Sequence, residues 1–431
     1  MPFETFAAPS RRIAVIGGGI SGMAAAHLLA GDHAVVLFEG GTRLGGHALT
    51  VMAGKRGDQP VDMGFIVFNR VNYPRLTALF DKLQVPVAPS DMSFGCSIQG
   101  GALEYGLRNL DSLLAQRRNL FSPRYLRMLT DILRFHKGAD RAATPGMSLG
   151  DLLATMRMSS AFRDHYIAPF TGAIWSTPAS GILSFPAEAL IRFFKNHGLM
   201  GVFKHHQWLT VQGGSIEYVR RLEADLTRHG VDIRTATPVA GVRRVPQGVL
   251  IRAVGGEWEP FDEVIFATHS DDTLALLSDA TPTERAALAA IRYQPNEAIL
   301  HADPTQMPHS RRAWASWNYA EPKGPRPDRI DLTYWMNSLQ PIPQDDPLFV
   351  TLNPNRVIPD HLIHTTKTFR HPVYDQAALD AQVKLRAMNG QSGTWFCGAW
   401  MRHGFHEDGF ASAADVADAL RARHAVREEA A

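Results

Sequence analysis

Residues 12–47 read RIAVIGGGISGMAAAHLLAGDHAVVLFEGGTRLGGH. The apolar run Ile13-Ala14-Val15-Ile16 suits one buried strand. Gly17-Gly18-Gly19-Ile20-Ser21-Gly22 follows as a glycine turn, and the Ala/Leu/Met-rich segment to Ala30 predicts a helix that Gly31-Asp32 stops. His33 to Phe38 is a second apolar strand with Glu39 at its end. The acid stands roughly 20 residues beyond the glycine turn, the spacing of a dinucleotide-binding strand–helix–strand unit.

Each position has a physical task. Gly17 permits the tight turn, Gly19 lets backbone N–H groups approach a pyrophosphate, and Gly22 lets helix and strand pack closely. Ile20 and Ser21 open the helix, whose N-terminus faces the phosphate charge. Glu39, followed by Gly40, can accept hydrogen bonds from both ribose hydroxyls. An acid there disfavours a 2′-phosphate and argues against a phosphorylated nicotinamide dinucleotide.

The next residues, Thr42-Arg43-Leu44-Gly45-Gly46-His47, place a second glycine pair beside an arginine. That suits a backbone passing close to a pyrophosphate. GxGxxG, Glu39 and the Arg43-x-Gly45-Gly46 run together resemble the FAD-binding signature of the flavin amine oxidase and phytoene desaturase superfamily. The resemblance implies a Rossmann-type α/β FAD-binding domain interleaved with an α+β substrate domain. Its expected pieces are 11–90, 207–273 and 390–425 for FAD, and 91–206 with 274–389 for substrate.

Composition is permissive. The 431 residues, 45% of them hydrophobic, can fill two domains. A formal charge of +2 argues against a protein devoted to nucleic acid. Cys96 and Cys397 are the only cysteines, which points to a reducing cytoplasm and no disulfide framework. They read as buried small hydrophobes; covalent flavin attachment through either, or through a histidine, stays open. Met1 to Arg12 lacks the apolar core of a signal peptide, and no run is long enough to span a bilayer.

Further along, Val61 to Asn69 (VDMGFIVFN) joins a turn at Asp62 and Gly64 to an apolar run. By the resemblance, Gly64, Phe65 and Ile66 lie beside the isoalloxazine; an ordinary core strand explains the residues equally well. Asn69 can orient something polar. Asn72 to Leu83 predicts a helix, and Asp91 to Gln99 a strand of a second sheet.

From Leu110 to Lys137 the chain predicts basic amphipathic helices. Two readings stand: contact with an anionic membrane surface, or a solvated face over an ordinary core, which base rates favour. Met147 to Ser160 predicts a helix with Ser148 as N-cap. Within 191–208, Phe193, Phe194, Phe203 and Trp208 can line an apolar tunnel with Lys195, Lys204, His205 and His206 at its mouth, though core packing explains the aromatics almost as well. Ser215 is placed to cap a helix ending at Gly230, Val231 to Val239 reads as a strand, and Gly241 to Trp258 as a two-stranded excursion. By the resemblance, Val239 meets the adenine. Phe261 to Thr268 is a strong buried strand leading to His269. Stretches 312–319 and 332–337 alternate as paired strands that can set Trp, Tyr and Asn over the flavin, and His371 to Asp375 reads as a turn.

The C-terminal run, Thr394 to Trp400 and then Gly404 to Ala413, predicts a buried strand, a loop and a small-residue helix aimed at the reduced ring's negative charge. Gly398, Asp408, Gly409 and Phe410 are its expected cofactor residues. Where many relatives carry an acid after the glycine, this chain has Ala399, so the ribityl or phosphate contact falls to backbone, Glu407 or Asp408. His403-x-x-His406 with Glu407 and Asp408 offers ligand-type residues but sits in a glycine loop, and no metal is expected.

The wider pattern (DMSF, NHGL, IRYQPN, WNY, FCGAW, GFHEDG) resembles one bacterial branch of predicted NAD/FAD-binding proteins. Its members accompany cyclopropane-fatty-acid-synthase-like methyltransferases. The resemblance implies a desaturase of methylated or unsaturated fatty acyl chains of a lipid, acting by hydride transfer to flavin N5. Oxygen or another acceptor would reoxidise the flavin. A lipid or other apolar small molecule is then the substrate, a lipid methyltransferase a partner, and the cytoplasm, with contact at the inner membrane, the location. His47, Trp400, His403 and His406 are the catalytic candidates, because they neighbour flavin-binding segments; each suits a structural or cofactor-facing role better. Rivals are an amine oxidase, for which no lysine near N5 can be placed (Lys367 lacks the context), an acyl-chain isomerase or saturase, and a non-catalytic flavin-holding partner of the methyltransferase.

Overall fold

Ile13, Ala14 and Val15 have no solvent exposure, as a central strand covered on both faces requires. The computed structural model describes residues 10–175, 179–196, 206–325 and 329–429. In it, Arg12–Ile16 lies at the middle of a five-stranded parallel sheet. Ala34–Phe38 and then Asp232–Arg234 flank it on one side, Glu263–Phe266 and then Thr394–Phe396 on the other. Three distant segments thus build one layer. Helix Ile20–Leu29 packs along the C-terminal helix His406–Glu429 on this sheet.

A second, seven-stranded sheet is made wholly from other segments. Its order is Ile363–Val373, Arg292–His301, Phe349–Leu352, Asp331–Trp335, Trp317–Ala320, Phe94–Ile98, Leu103–Gly106. The paired strands expected near 312–319 and 332–337 are present, with Asn318 opposite Thr333. Helices between residues 110 and 196 cover this sheet's core, which centres on Tyr105, Phe135, Phe162 and Tyr166.

Some expectations change. Helix Pro74–Lys82 and helix Leu149–Thr155 form, the latter with a Ser148/Asp151 capping box. Ser215 precedes helix Ile216–Arg228 but does not cap it; its hydroxyl donates to Asp62 at 2.7 Å. The expected 231–239 strand shrinks to Asp232–Arg234. The excursion after Val239 has three strands, Val239–Val245, Gly248–Ala253 and Trp258–Phe261. His371 to Asp375 is not a turn: residues to Val373 continue an 11-residue strand. That strand is at the sheet edge, where the N–H that Pro372 lacks is not needed. Phe203, Lys204 and His205 lie outside the described residues, and so does the 197–200 segment.

Asp62 joins the two sheets' surroundings. It is fully buried and accepts from Thr50, Ser215 and Gln340, while burial pushes its carboxyl up to about 6.

Candidate active site

The glycine turn is shaped by contacts that exclude side chains. Gly17 takes φ +110°, and a Cβ on Gly22 would stand 1.8 Å from the Gly17 carbonyl oxygen. Gly19 differs: a Cβ there would meet only Gly46, at 4.0 Å. Glycine at 19 is therefore not a packing requirement of the protein; it clears the cavity that Gly17, Gly18, Gly19, Ile20 and Ser21 line. Glu39 closes the far end. Its two oxygens accept the N–H groups of Gly18 (2.7 Å) and Gly41 (2.6 Å), and each keeps a lone pair for a ribose hydroxyl.

The second glycine pair is tied to the first, Gly45 N–H donating to the Gly18 carbonyl at 2.8 Å. Arg43 does not reach the cavity. Its guanidinium holds the carbonyls of Leu44, Ala48 and Gly46, so it fixes the loop rather than touching a ligand. Gly45, Gly46 and His47 line the cavity, as do Gly64, Phe65, Ile66 and Gly398. Phe65 thus faces the cavity, whereas Phe68 belongs to the core. Asn69 turns away and accepts from Val71 and Asn72 backbone N–H groups.

Other expected cofactor residues support the cradle from behind. Gly40 packs against Pro238, which brings Val239 to the ribose end without lining the cavity. A Cβ on Gly409 would strike Ser21 and Ile20 within 3 Å, so this glycine lets the C-terminal helix approach the first one. Phe410 is buried in the core. Asp408 accepts the Phe405 N–H at 3.0 Å, and Glu407 accepts the N–H groups of Arg75 and Leu76. Both acids are thus engaged by backbone N–H groups, and Gly398 and Ala399 line the cavity.

Opposite the cradle, the wall is made of side chains. Met63, Met92, Ile174, Trp175, Phe193, Trp208, Trp317, Tyr334 and Leu352 form its apolar part. Phe193 and Trp208 thus take the expected place, while Phe194 is buried against Phe170 and Lys195 pairs with Asp140. Trp317 and Tyr334 reach the cavity; Asn318 and Asn337 satisfy backbone groups instead.

Five imidazoles line the same cavity: His47, His269, His371, His403 and His406. His47 lies 5.7 Å from His269 and 5.8 Å from His371 between ring centroids, and His406 stacks on Phe65 at 3.9 Å. Burial, then neighbouring positive groups, pushes His269 down to about 3; burial and His47 do the same to His371 and His406. All are neutral near pH 7. Asn296 donates to His371 Nδ1 at 2.8 Å, and Tyr218 OH bonds His406 Nε2 at 3.0 Å. Of the remaining catalytic candidates, Trp400 spends its indole N–H on the Thr268 carbonyl, and the His403 carbonyl receives Trp175 Nε1.

Sequence reasoning missed His269, Tyr293, Phe369, Arg370, His371 and Tyr374 as lining residues. Phe369 and His371 are two apart, one face of a strand; reading Pro372 as a turn hid that alternation. Three cavity-lining residues each carry a buried atom that has no partner among the described residues: His269 Nδ1, Trp317 Nε1 and Tyr374 OH. Buried polar groups are normally satisfied, so each of these three is an exception among the residues that line the cavity. His269, Asp271 and Asp272 stand close enough to share a metal, but Arg370 already pairs with both acids.

A parallel sheet with a glycine cradle at its strand ends, an acid for ribose and an aromatic second sheet define a dinucleotide-binding flavoprotein of the amine-oxidase architecture. The chain belongs to the flavin containing amine oxidoreductase family, whose model matches residues 20–311. No curated protein matches it in sequence. A putative protoporphyrinogen oxidase from Exiguobacterium sp. 255-15 has the same fold, at 18% identity and TM-score 0.69 over 96% of this chain and 99% of that one. So does a CLA-producing fatty acid isomerase from P. acnes, at 17% and 0.68 over 95% and 98%. Cyclohexylamine oxidase from Brevibacterium oxydans IH-35A matches at 17% and 0.69 over 96% and 100%. The chain is an FAD-dependent oxidoreductase, and the Gly17–Gly19 cradle, Glu39 and the Gly45–Gly46 loop fit that cofactor.

Proposed function

We propose that the enzyme dehydrogenates a methylated or unsaturated fatty acyl chain of a lipid. The composition of the cavity wall carries this reading. The fold does not choose, since it houses a fatty acid isomerase and an amine oxidase alike. The wall supports the acyl-chain reading: much of it is apolar and aromatic, its imidazoles are neutral, and no lysine lines it among the described residues. Its carboxylates are engaged, Glu39 by backbone N–H groups and Asp272 by Arg370. An ammonium group entering here would lose its hydration without a free anion in return.

When bound, FAD supplies the two-electron acceptor that takes a hydride from the chain. The protein's own residues do the rest. Met92, Ile174, Phe193 and Trp208 hold the acyl chain and exclude water. The proton lost as the new double bond forms passes to one of the neutral imidazoles that line the cavity. A methyltransferase of the cyclopropane-synthase type, acting first, would supply the methylated chain.

The test is anaerobic mixing of the yellow protein with phospholipids bearing methylated or mono-unsaturated chains, and separately with primary amines and polyamines. Bleaching of the visible band by lipid alone is expected. Bleaching by amines alone would sink this reading.

A further inference from the structure

Every exposed leucine and phenylalanine among the described residues lies in one stretch: Leu110, Leu120, Phe121, Leu126 and Leu133. The other large exposed apolar residues are one methionine and four valines, spread from Met52 to Val383. Phe121 is 87% exposed and Leu110 76%, so neither is a partly covered core residue.

Local structure holds them outward. Asn109 caps the short helix Leu110–Leu113, and a single 3-10 helix, Arg117–Phe121, ends on the exposed phenylalanine. Ser122 then caps helix Pro123–Ala142, with Pro123 in its first turn. Tyr125, Met128 and Phe135 face the core, which leaves Leu126, Thr130, Leu133 and Lys137 on the outer face.

Charge singles out the same stretch. From Arg108 to Arg141 there are eight basic residues and three acids, a local +5 where the whole chain carries +2. The acids are already engaged: Asp111 by Arg117, the buried Asp131 by Arg127 and Arg134, Asp140 by Lys195. Arg108, Arg124, Lys137 and Arg141 make no ion pair or hydrogen bond among the described residues. A merely solvated helix face would need the bases but not the protruding leucines and phenylalanine.

We propose that this face docks peripherally on a bilayer containing anionic phospholipid. Phe121, Leu120 and Leu110 enter the headgroup–acyl boundary, and the unpaired bases meet lipid phosphates. The surface adjoins the cavity: helix Ala187–Asn196 pairs Lys195 with Asp140 of the long helix and sends Phe193 into the cavity wall. The inference stands apart from the acyl-chain reading, because the surface lies outside the cavity.

The experiment is co-sedimentation of the FAD-loaded full chain with vesicles of phosphatidylcholine alone, or mixed with phosphatidylglycerol. Binding to the anionic vesicles, weakened by salt, is expected. Phe121→Asp should lower the partition coefficient about tenfold or more. Each charge reversal among Arg108, Arg124 and Lys137 to Glu should lower it roughly fivefold or more. Flavin spectrum and Tm should hold in these exposed-site variants. Absence of vesicle binding, equal binding to neutral vesicles, or binding unchanged in Phe121→Asp would overturn the proposal. So would a lipid-free dimer that Phe121→Asp converts to monomer, since the face would then be covered by a second copy. A chain that binds anionic vesicles but is bleached by amines alone sinks the acyl-chain reading and leaves this inference standing.

Discussion

The two sides of the cavity are built from different materials. On the cradle side the ligand meets backbone: Gly17, Gly18, Gly19, Gly45 and Gly46, held by hydrogen bonds between loops and by one carboxylate. On the opposite side it meets rings: Trp175, Phe193, Trp208, Trp317, Tyr334 and the imidazoles. A pyrophosphate is recognised the same way whatever the enzyme oxidises, and main-chain N–H groups suffice for it. The reacting molecule differs between relatives, so its wall is left to side chains that can change one at a time. The cradle should therefore be intolerant of any added atom, and the wall tolerant of isosteric exchange.

The sharpest way to break that contrast is Gly22→Val. Its side chain would enter the space of the Gly17 carbonyl, where even a Cβ stands at 1.8 Å. We expect a loss of about 3 kcal/mol or more in stability, with colourless protein. Visible absorbance and thermal unfolding of the purified chain check it; a yellow Gly22→Val protein of normal Tm would end the argument. Next is Glu39→Gln, which puts an amide against the N–H groups of Gly18 or Gly41. Charge-assisted hydrogen bonds lost here should cost about 2 kcal/mol, roughly thirtyfold in FAD affinity. Titration of the apoprotein with FAD, read by fluorescence quenching, measures it.

Legibility follows the same division. Gly17 to Gly22, Glu39 and the Arg43–Gly46 loop could be read from sequence because backbone geometry forces residue type at fixed spacing. Even there, Arg43, Asp408 and Phe410 were assigned to the ligand and turned out to hold loop, helix start and core. Spacing places a residue near a site but does not say which way its side chain points. The wall was legible only in part. Trp208 and Trp317 were expected, but His371 and Phe369 come from an edge strand more than 300 residues beyond His47, and only the folded sheet brings them together. The exposure of Phe121 was equally hidden, since an amphipathic pattern does not tell a covered apolar face from a bare one.

On the wall, pH is the more informative probe. His406 is ordinarily protonated below about 6.5, yet in the fold it stays neutral until about 3. The unfolded chain therefore binds the extra proton first, so this group's contribution is complete above 6.5 and is lost as pH falls toward 3. Between pH 7 and 5 it should cost the wild type about 2 kcal/mol. His406→Phe keeps a ring against Phe65 and removes that titration. Its stability should fall less over the same interval, measured by urea unfolding at both pH values. An identical pH slope in the two proteins would mean that His406 is not secluded in the way its stacking on Phe65 implies.

The smallest effect has the most diagnostic sign. Tyr374 is a buried residue of the cavity wall, and its hydroxyl has no partner among the described residues. A hydroxyl desolvated without a hydrogen bond destabilises the fold, so Tyr374→Phe should raise the stability of the FAD-free protein by about 1 kcal/mol. If the hydroxyl is oriented toward a ligand, the loaded protein gives the opposite result, because the variant forfeits a bond that the wild type makes only when the cavity is filled. Thermal unfolding of both proteins with and without FAD, and then with lipid, separates the cases. A gain that persists in every state would make Tyr374 a packing residue. A gain that vanishes on adding FAD assigns the hydroxyl to the cofactor, and one that vanishes only with lipid assigns it to the substrate. The same comparison across the three states with Trp317→Phe then asks whether the wall's second unpartnered donor serves the same ligand.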